Sequence, residues 1–224
     1  MNNGKKYLTF SFDDCEIYDR VLCDMFRKYG MKATFFLISD QLGYRQDYHR
    51  YGEDTVVERV SADELRVTYT GMEIATHTAN HKCPIDDLEL SVLRSAEHLS
   101  AYCGYPVIGM AYPGGKYTDK HIDKLKQLGI KYARTAFCTH DFEVPKEWLA
   151  WNPTCKYDDE YLEELVDRFL NYQGDKPIVF HIYGHSYEMT RKEVGCNFDD
   201  FEKLLIKLSG RDDIIYYCRY VRRH

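Results

Sequence analysis

Short apolar segments alternate with amphipathic segments along all 224 residues, and this alternation constrains the fold more than any other feature. The apolar segments have the length and composition of strands and cover residues 7–12, 33–38, 72–76, 107–112, 131–133, 177–183 and 214–217. The helical segments cover residues 18–29, 86–102, 118–128, 158–172 and 198–208, with a further capped helix start at 61–64. Strands separated by helices lie parallel in one sheet, so the pattern predicts an α/β fold, either a parallel barrel or a wound sheet.

The charge balance and the shortness of the apolar runs exclude several classes of protein. Thirty Lys and Arg residues against 36 Asp and Glu residues give a net charge of −6, which argues against nucleic-acid binding. No apolar run approaches the roughly 20 residues of a membrane-spanning helix, and no signal-peptide core follows Met1. We therefore expect one domain over residues 1–224 without a membrane segment, cytoplasmic as the sequence stands, with export of a longer precursor as the alternative. The eight cysteines form no Cys-x-x-Cys pair and are expected to be free thiols.

Polar side chains directly follow four of the predicted strands. Asp13 and Asp14 follow the first strand, residues 77–81 (His-Thr-Ala-Asn-His) the third, residues 113–115 (Pro-Gly-Gly) the fourth, and His185 the strand that begins at 177. In barrels and wound parallel sheets, the carboxyl ends of the strands meet at one face, and that face carries the chemistry. We therefore expect these side chains to form one site.

The two histidines and the two aspartates have the composition of a metal site. His77 and His81 are four residues apart, which on a helical turn presents both imidazoles to one ion, and an aspartate is the natural third ligand. Nitrogen and oxygen ligands without sulfur suit Zn²⁺ and other borderline divalent ions. The alternatives are that the histidines lie in a solvated loop and that Asp13 and Asp14 only stabilise the start of a helix.

Four stretches resemble motifs of the polysaccharide deacetylases, the NodB-homology group of carbohydrate esterase family four. Residues 11–14, Ser-Phe-Asp-Asp, resemble the family's Thr-Phe-Asp-Asp signature, and residues 77–81 resemble its His-Ser/Thr-x-x-His motif. Residues 110–115 are similar to the third motif, and residues 178–185, an apolar strand followed by histidine, are similar to the fifth. Order and spacing agree from residue 7 to about residue 190.

The resemblance implies a distorted parallel (β/α) barrel of about seven strands and a metal-dependent enzyme that removes N- or O-linked acetyl groups from a carbohydrate. It further implies one divalent ion, most often Zn²⁺, with Co²⁺, Ni²⁺ or Mn²⁺ as alternatives. The implied metal ligands are Asp14, His77 and His81, the base is Asp13 and the acid is His185. The implied oxyanion and substrate-binding residues are Gly114, through its backbone N–H, and Tyr112, Pro113 and Trp151.

The chain departs from the family pattern at three places. Ala111 stands where the family usually has an arginine beside the catalytic aspartate, and Arg134, at a neighbouring strand end, is a possible replacement or else a surface ion pair. The fourth motif is indistinct, so Trp148 or Trp151 forms either an aromatic wall of the cleft or part of the core. His181, within the apolar strand, is expected to be a buried histidine rather than the acid.

Two other functions remain open at the level of sequence. Relatives in the superfamily hydrolyse other amides, including cyclic ureides, on the same fold. A carbohydrate-binding protein without activity would keep the barrel, although such a protein has no chemical need for an aspartate base beside the metal ligands. Residues 186–188 (Ser-Tyr-Glu), directly after His185, either shape the substrate pocket or orient that histidine, and Glu188 is alternatively a surface acid.

Overall fold

The computed structural model describes residues 4–50, 53–191 and 195–218. Its strands are β1 (Lys6–Asp13), β2 (Ala33–Leu37), β3 (Arg45–Arg50), β4 (Glu53–Glu58), β5 (Glu73–Thr76), β6 (Gly109–Ala111), β7 (Tyr132–Arg134), β8 (Cys155–Lys156), β9 (Ile178–Gly184) and β10 (Ile214–Tyr216). Its α-helices are α1 (Asp19–Lys28), α2 (Leu65–Thr68), α3 (Leu88–Cys103), α4 (Asp119–Gln127), α5 (Leu162–Leu170) and α6 (Phe198–Leu208). Every strand and helix predicted from the sequence is present, with ends that differ by a few residues.

Seven parallel strands form a curled sheet in the order β7-β6-β5-β2-β1-β9-β8, and β10 pairs with the first half of β1. The segment before β8 lies between the two ends of this sheet. The Trp151 N–H donates to the Ala133 carbonyl beside β7, and the Thr154 N–H donates to the His181 carbonyl of β9. The α/β class and the distorted parallel barrel of about seven strands are therefore confirmed.

Alternation along the strands divides the apolar residues between two cores. Phe10 and Phe12 of β1 face the helices and pack against Phe26 of α1 and Phe201 of α6, with ring centroids 5.0–6.0 Å apart. Burial of each such ring contributes about 1.5–3 kcal/mol. The side chains that face the barrel interior form a separate cluster, which consists of Phe36, Ala75, Ala111, Tyr132, Trp151 and Val179. Because β1 places every second residue inside, Asp13 is its last interior residue.

An antiparallel hairpin of β3 and β4 was not expected from the sequence. Its strands are rich in charged residues and lack the apolar alternation that identifies a half-buried strand. The end of the hairpin is attached to the loop after β1, because the Ile17 N–H donates to the Glu58 carbonyl and the Val60 N–H donates to the Cys15 carbonyl. The hairpin therefore adjoins the face that carries the carboxyl end of β1.

Three smaller features bear on the sequence expectations. Ser61 and Glu64 form the predicted capping box, in a 3₁₀ turn that leads into α2. All eight cysteines are free thiols. Within the described ranges, no helix combines the length and the apolar character that spanning a membrane requires.

Candidate active site

Asp14, His77 and His81 meet at the carboxyl ends of β1 and β5, and their ligand atoms lie within 4.8 Å of one another. The Asp14 Oδ1 atom is 3.8 Å from His77 Nε2 and 3.7 Å from His81 Nε2. This Oδ1 is buried and has no hydrogen-bond partner among the described residues. A buried carboxylate oxygen without a donor is costly unless a cation compensates it, so the three predicted ligands fit a divalent ion.

The orientation of His77 suits metal binding. Its Nδ1 lies 2.9 Å from the carbonyl oxygen of Ala111, an acceptor that fixes the proton on Nδ1 and leaves the Nε2 lone pair directed toward Asp14. Burial lowers the pKa of His77 below its ordinary value, although the neighbouring carboxylates of Asp13 and Asp14 oppose this. The imidazole is therefore neutral at neutral pH, which is the form that coordinates a metal.

The loop that carries the two histidines is not the helical turn expected from their spacing. Thr78 and His81 have positive φ values of 66° and 61°, and residues 77–81 have no helical hydrogen bonding. The rings nevertheless approach to 4.7 Å between centroids. The side chain of His81 is 43% exposed whereas that of His77 is 2% exposed, so the site opens to solvent on the His81 side.

Asp13 lies between the candidate metal ligands and His185. Its Oδ2 accepts a hydrogen bond from Arg134 Nη2 and is 3.8 Å from His77 Nε2 and 4.0 Å from His185 Nε2. Its Oδ1 is buried and has no hydrogen-bond partner within the described parts of the chain. Burial by itself would raise the pKa of Asp13, but the charge of Arg134, with help from the two imidazoles, holds it below the ordinary value. Asp13 is therefore an ionised carboxylate with one oxygen available.

Arg134 takes the place of the arginine that the third motif lacks. Its Cα is paired in register with that of Ala111, so the guanidinium enters the barrel one strand away from the expected position. Arg134 is 1% exposed, and its guanidinium carbon lies 4.8 Å from the ring centroid of Tyr183 and 5.4 Å from that of Phe36. The alternative of a surface ion pair is wrong, because both charged groups are buried.

His185 directly follows β9 and is held from the side away from Asp13. Its Nδ1 is 3.4 Å from Glu188 Oε2, and the same carboxylate oxygen is 3.0 Å from Lys156 Nζ. Burial opposes protonation, but the Glu188 carboxylate beside Nδ1 and the charge of Asp13 raise the pKa of His185 above its ordinary value. Glu188 is largely buried and lies beside this imidazole, so its interpretation as a surface acid is wrong.

His181 is a buried histidine, as the sequence predicted. Its Nε2 is 2.9 Å from the Ser11 hydroxyl, and its ring packs on Trp151 with a centroid distance of 4.4 Å. Burial and the charge of Arg134 lower the pKa of His181 to about 3, which keeps the ring neutral. A neutral imidazole inside the barrel is poorly suited to donate a proton at its mouth.

Two of the predicted substrate-binding side chains lie in cores instead. Tyr112 faces the helix layer, where its hydroxyl donates to the Leu149 carbonyl at 2.8 Å, because alternation in β6 turns Ala111 inward and the next residue outward. Trp151 is 8% exposed and belongs to the barrel interior. Pro113 and Gly114 remain in the loop after β6, where Gly114 is exposed and has a φ of 64°.

Sequence reasoning missed two groups that support the site. Arg59, at the end of β4, donates from Nη1 to the backbone carbonyl of Asp14. Asp19, fully buried in α1, accepts hydrogen bonds from the Ser186 hydroxyl at 2.6 Å and the Tyr69 hydroxyl at 2.8 Å, and its burial raises its pKa to about 8. Through the hydrogen bond with Ser186, Asp19 holds the turn after His185 in place. No sequence signal connects these partners, because they are far apart along the chain.

Comparisons with known proteins bear on the family and the fold of the chain. A family model described as polysaccharide deacetylase matches residues 1–133. No curated protein matches the chain by sequence. The family 4 carbohydrate esterase from Streptomyces lividans, solved with acetate, is 14% identical, with 96% of this chain and 92% of that chain covered and a TM-score of 0.53.

Two further solved structures are similar over different shares of their length. A pseudoenzyme of carbohydrate esterase family 4 from Bacillus anthracis is 13% identical, with 93% of this chain and 62% of that chain covered and a TM-score of 0.55. A Streptococcus pyogenes deacetylase, solved with acetate, is 22% identical, with 57% of this chain covered and a TM-score of 0.48. This chain spans 55% of the length of that deacetylase. The structures from Streptomyces lividans and Bacillus anthracis share the fold. The family model covers more than half of the chain. The chain belongs to the polysaccharide deacetylase family.

Proposed function

We propose that this protein is a metal-dependent hydrolase that removes N- or O-linked acetyl groups from a carbohydrate. One observation carries the proposal: a single oxygen of Asp13 lies 3.8 Å from His77 Nε2, in the candidate metal site, and 4.0 Å from His185 Nε2 on its other side. A carboxylate between a metal site and a second imidazole is the arrangement that a base and an acid acting on one acyl group require. The family supports an acetylated carbohydrate as the substrate class.

The chemistry of the donor set supports one divalent ion held by Asp14, His77 and His81. Two imidazole nitrogens and one carboxylate oxygen suit Zn²⁺ best, and Co²⁺, Ni²⁺ and Mn²⁺ are also compatible with them. A divalent ion bound there would polarise the acyl carbonyl and lower the pKa of a water molecule from its bulk value to about 7.

Asp13 is the proposed base. Its Oδ2 is occupied by Arg134, whereas its Oδ1 is without a partner among the described residues and is available to take a proton from the attacking water. The hydrogen bond to Arg134 fixes the plane of the carboxylate, and the lowered pKa keeps it ionised at neutral pH. General acid–base catalysis increases the rate by a factor of about 10² to 10⁴, and a base must be both ionised and oriented to contribute to it.

His185 is the proposed acid, and Gly114 the proposed oxyanion donor. The raised pKa favours the protonated form of His185, with Glu188 beside Nδ1 and Nε2 directed toward Asp13, so Nε2 can deliver a proton to the departing nitrogen or oxygen. The backbone N–H of Gly114 would donate to the developing oxyanion, and the absence of a side chain lets an acyl group approach this exposed turn. Pro113 precedes it and would line the same rim.

Two other functions are outcomes that experiment can distinguish. Hydrolysis of another amide, such as a cyclic ureide, would use the same base, acid and metal ligands. An inactive carbohydrate-binding protein is a real alternative, because one structural neighbour is a pseudoenzyme. Against it stands the buried pair of Asp13 and Arg134, because burying two charges is costly and this pair keeps a base ionised beside the candidate metal site.

The Asp13→Asn substitution tests the proposal. With zinc-loaded protein, we expect hydrolysis of p-nitrophenyl acetate and of acetylated oligosaccharides of N-acetylglucosamine and xylose to fall at least about 100-fold, with the zinc content unchanged. The matched control, Asp123→Asn, removes an exposed acid of α4 and leaves hydrolysis unchanged. Full hydrolysis in the Asp13→Asn variant contradicts the assignment of the base. Wild-type protein without hydrolysis of any acetylated substrate contradicts the proposed function.

A further inference from the structure

The metal ligand Asp14 begins a turn in an unusual backbone conformation. Asp14 has a φ of 81° and the next residue, Cys15, has a φ of 53°. Left-handed conformations are unfavourable for residues other than glycine, and two in succession persist only where the surroundings hold them. This turn directs the Asp14 carboxylate toward the two histidines, so whatever holds the turn also fixes one ligand of the proposed metal site.

Neighbouring segments hold this turn from three sides. The Asp14 N–H donates to the Phe36 carbonyl of β2 at 3.1 Å, and the Cys15 carbonyl accepts from the Val60 N–H at 2.8 Å. The carbonyl of Asp14 itself accepts from Nη1 of Arg59. Of these three contacts, only the one from Arg59 is made by a side chain, and it binds the peptide group that immediately follows the ligand.

Arg59 is itself fixed in position. It is largely buried, and its Nη1 is 3.6 Å from Glu16 Oε1, a carboxylate that is also buried. The backbones of Glu16 and Arg59 form an antiparallel bridge, which ties the end of the β3–β4 hairpin to the loop after β1. A planar guanidinium can bind a carbonyl and approach a carboxylate at the same time, whereas an ammonium is a single point charge.

We propose that Arg59 is a positioning residue of the metal site. By holding the carbonyl of Asp14, Arg59 keeps the left-handed turn in place and the Asp14 carboxylate directed toward His77 and His81. This inference rests on the proposed metal site, to which Arg59 contributes no ligand atom. Residues that orient metal ligands from outside typically change metal affinity 10- to 100-fold when they are replaced.

The test is the zinc dissociation constant, measured by competition with a chromophoric chelator, for the wild type and for Arg59→Met. We expect the dissociation constant to rise about 10- to 100-fold, because methionine keeps much of the stem but donates no hydrogen bond. Arg59→Lys, which keeps one donor group, should have a dissociation constant between those of the wild type and Arg59→Met. The matched control is Arg27→Met, since Arg27 also donates to backbone carbonyls, those of Thr68 and Thr70, but in a different part of the fold.

Each result of these measurements either supports or overturns the proposed role of Arg59. The proposal is supported if Arg59→Met weakens zinc binding, Arg59→Lys restores part of it, and Arg27→Met retains wild-type affinity even where its thermal stability falls. A folded Arg59→Met protein with a dissociation constant within about twofold of the wild type overturns the proposal. If Arg59→Met does not fold, Arg59→Lys decides, and unchanged affinity in that variant overturns it. A wild-type protein that binds no zinc removes the metal site and this inference together.

Discussion

Replacing Arg134 with methionine should destabilise the protein and change the behaviour of Asp13. Both members of this ion pair are buried, with Arg134 1% and Asp13 4% exposed. At an effective dielectric constant of about 20 and a charge separation of about 4 Å, their attraction is about 4 kcal/mol. Removing one partner of a buried pair costs about 3–5 kcal/mol, because the other charge stays buried. We therefore expect the free energy of unfolding at pH 7 to fall by about that amount.

The pH dependence of stability and of kcat/KM tests the role of Arg134 more specifically than the loss of stability at pH 7. In the native protein the pKa of Asp13 is lowered, so the ionised carboxylate stabilises the fold above its unfolded pKa, about 3.9, and that stabilisation is lost as the pH falls through the folded pKa. Without Arg134, burial dominates and raises the pKa of Asp13. The difference in unfolding free energy between the wild type and Arg134→Met should then shrink as the pH falls. The acid limb of the variant's kcat/KM profile should move to higher pH.

A double variant separates loss of charge from loss of structure. The double variant is Ala111→Arg/Arg134→Ala. Because residues 111 and 134 are register partners in β6 and β7, the new arginine in β6 should also reach Asp13. Urea unfolding at pH 5 and pH 7 and the pH profile of kcat/KM measure both effects. The reasoning is refuted if Arg134→Met is folded and shows neither a lower unfolding free energy nor a shifted acid limb.

Further substitutions test three other parts of the structure. Glu188→Gln removes a carboxylate that helps to raise the pKa of His185, so the alkaline limb of the pH–rate profile should move to lower pH. An unchanged limb contradicts His185 as the acid. Trp151→Ala should reduce the free energy of unfolding by about 3–5 kcal/mol in urea titrations and leave KM unchanged, as expected of a core residue. Gly115→Ala should lower the melting temperature more than Gly114→Ala. A Cβ at 115 would lie 2.6 Å from the backbone after β7, whereas one at 114 meets no described atom within 4 Å. Equal decreases in melting temperature contradict this reasoning.

The alternation of strands and helices was sufficient to predict the class of fold and most of its elements. Long amphipathic segments such as α3 and α6 were identified because their periodicity reflects burial on one face. The β3–β4 hairpin was missed because it has few apolar residues, and β8 was missed because two residues are too few to show a period. These elements depend on partners that are distant in sequence.

The principal residues of the candidate site were predictable because each follows a strand. Parallel strands bring their carboxyl ends to one face, so Asp13, His77 and His185 had to lie near one another. The contact of Arg134 with Asp13 depends on strand register, which sequence patterns do not specify. Tyr112 was misassigned because the face on which its side chain lies depends on where β6 ends. The loop of His77 and His81 was misassigned because left-handed residues other than glycine leave no sequence signature.

The most direct test of the account is the metal content of the purified protein after reconstitution with zinc, measured for the wild type, His77→Ala and Asp14→Ala. The account predicts about one zinc ion per chain in the wild type and a large loss in both variants, because each removes one of three ligands. Exposed histidines such as His98 serve as the control, and His98→Ala should retain the wild-type content. A wild-type protein that binds no zinc, cobalt or nickel, or variants that bind as much metal as the wild type, would contradict the central claim.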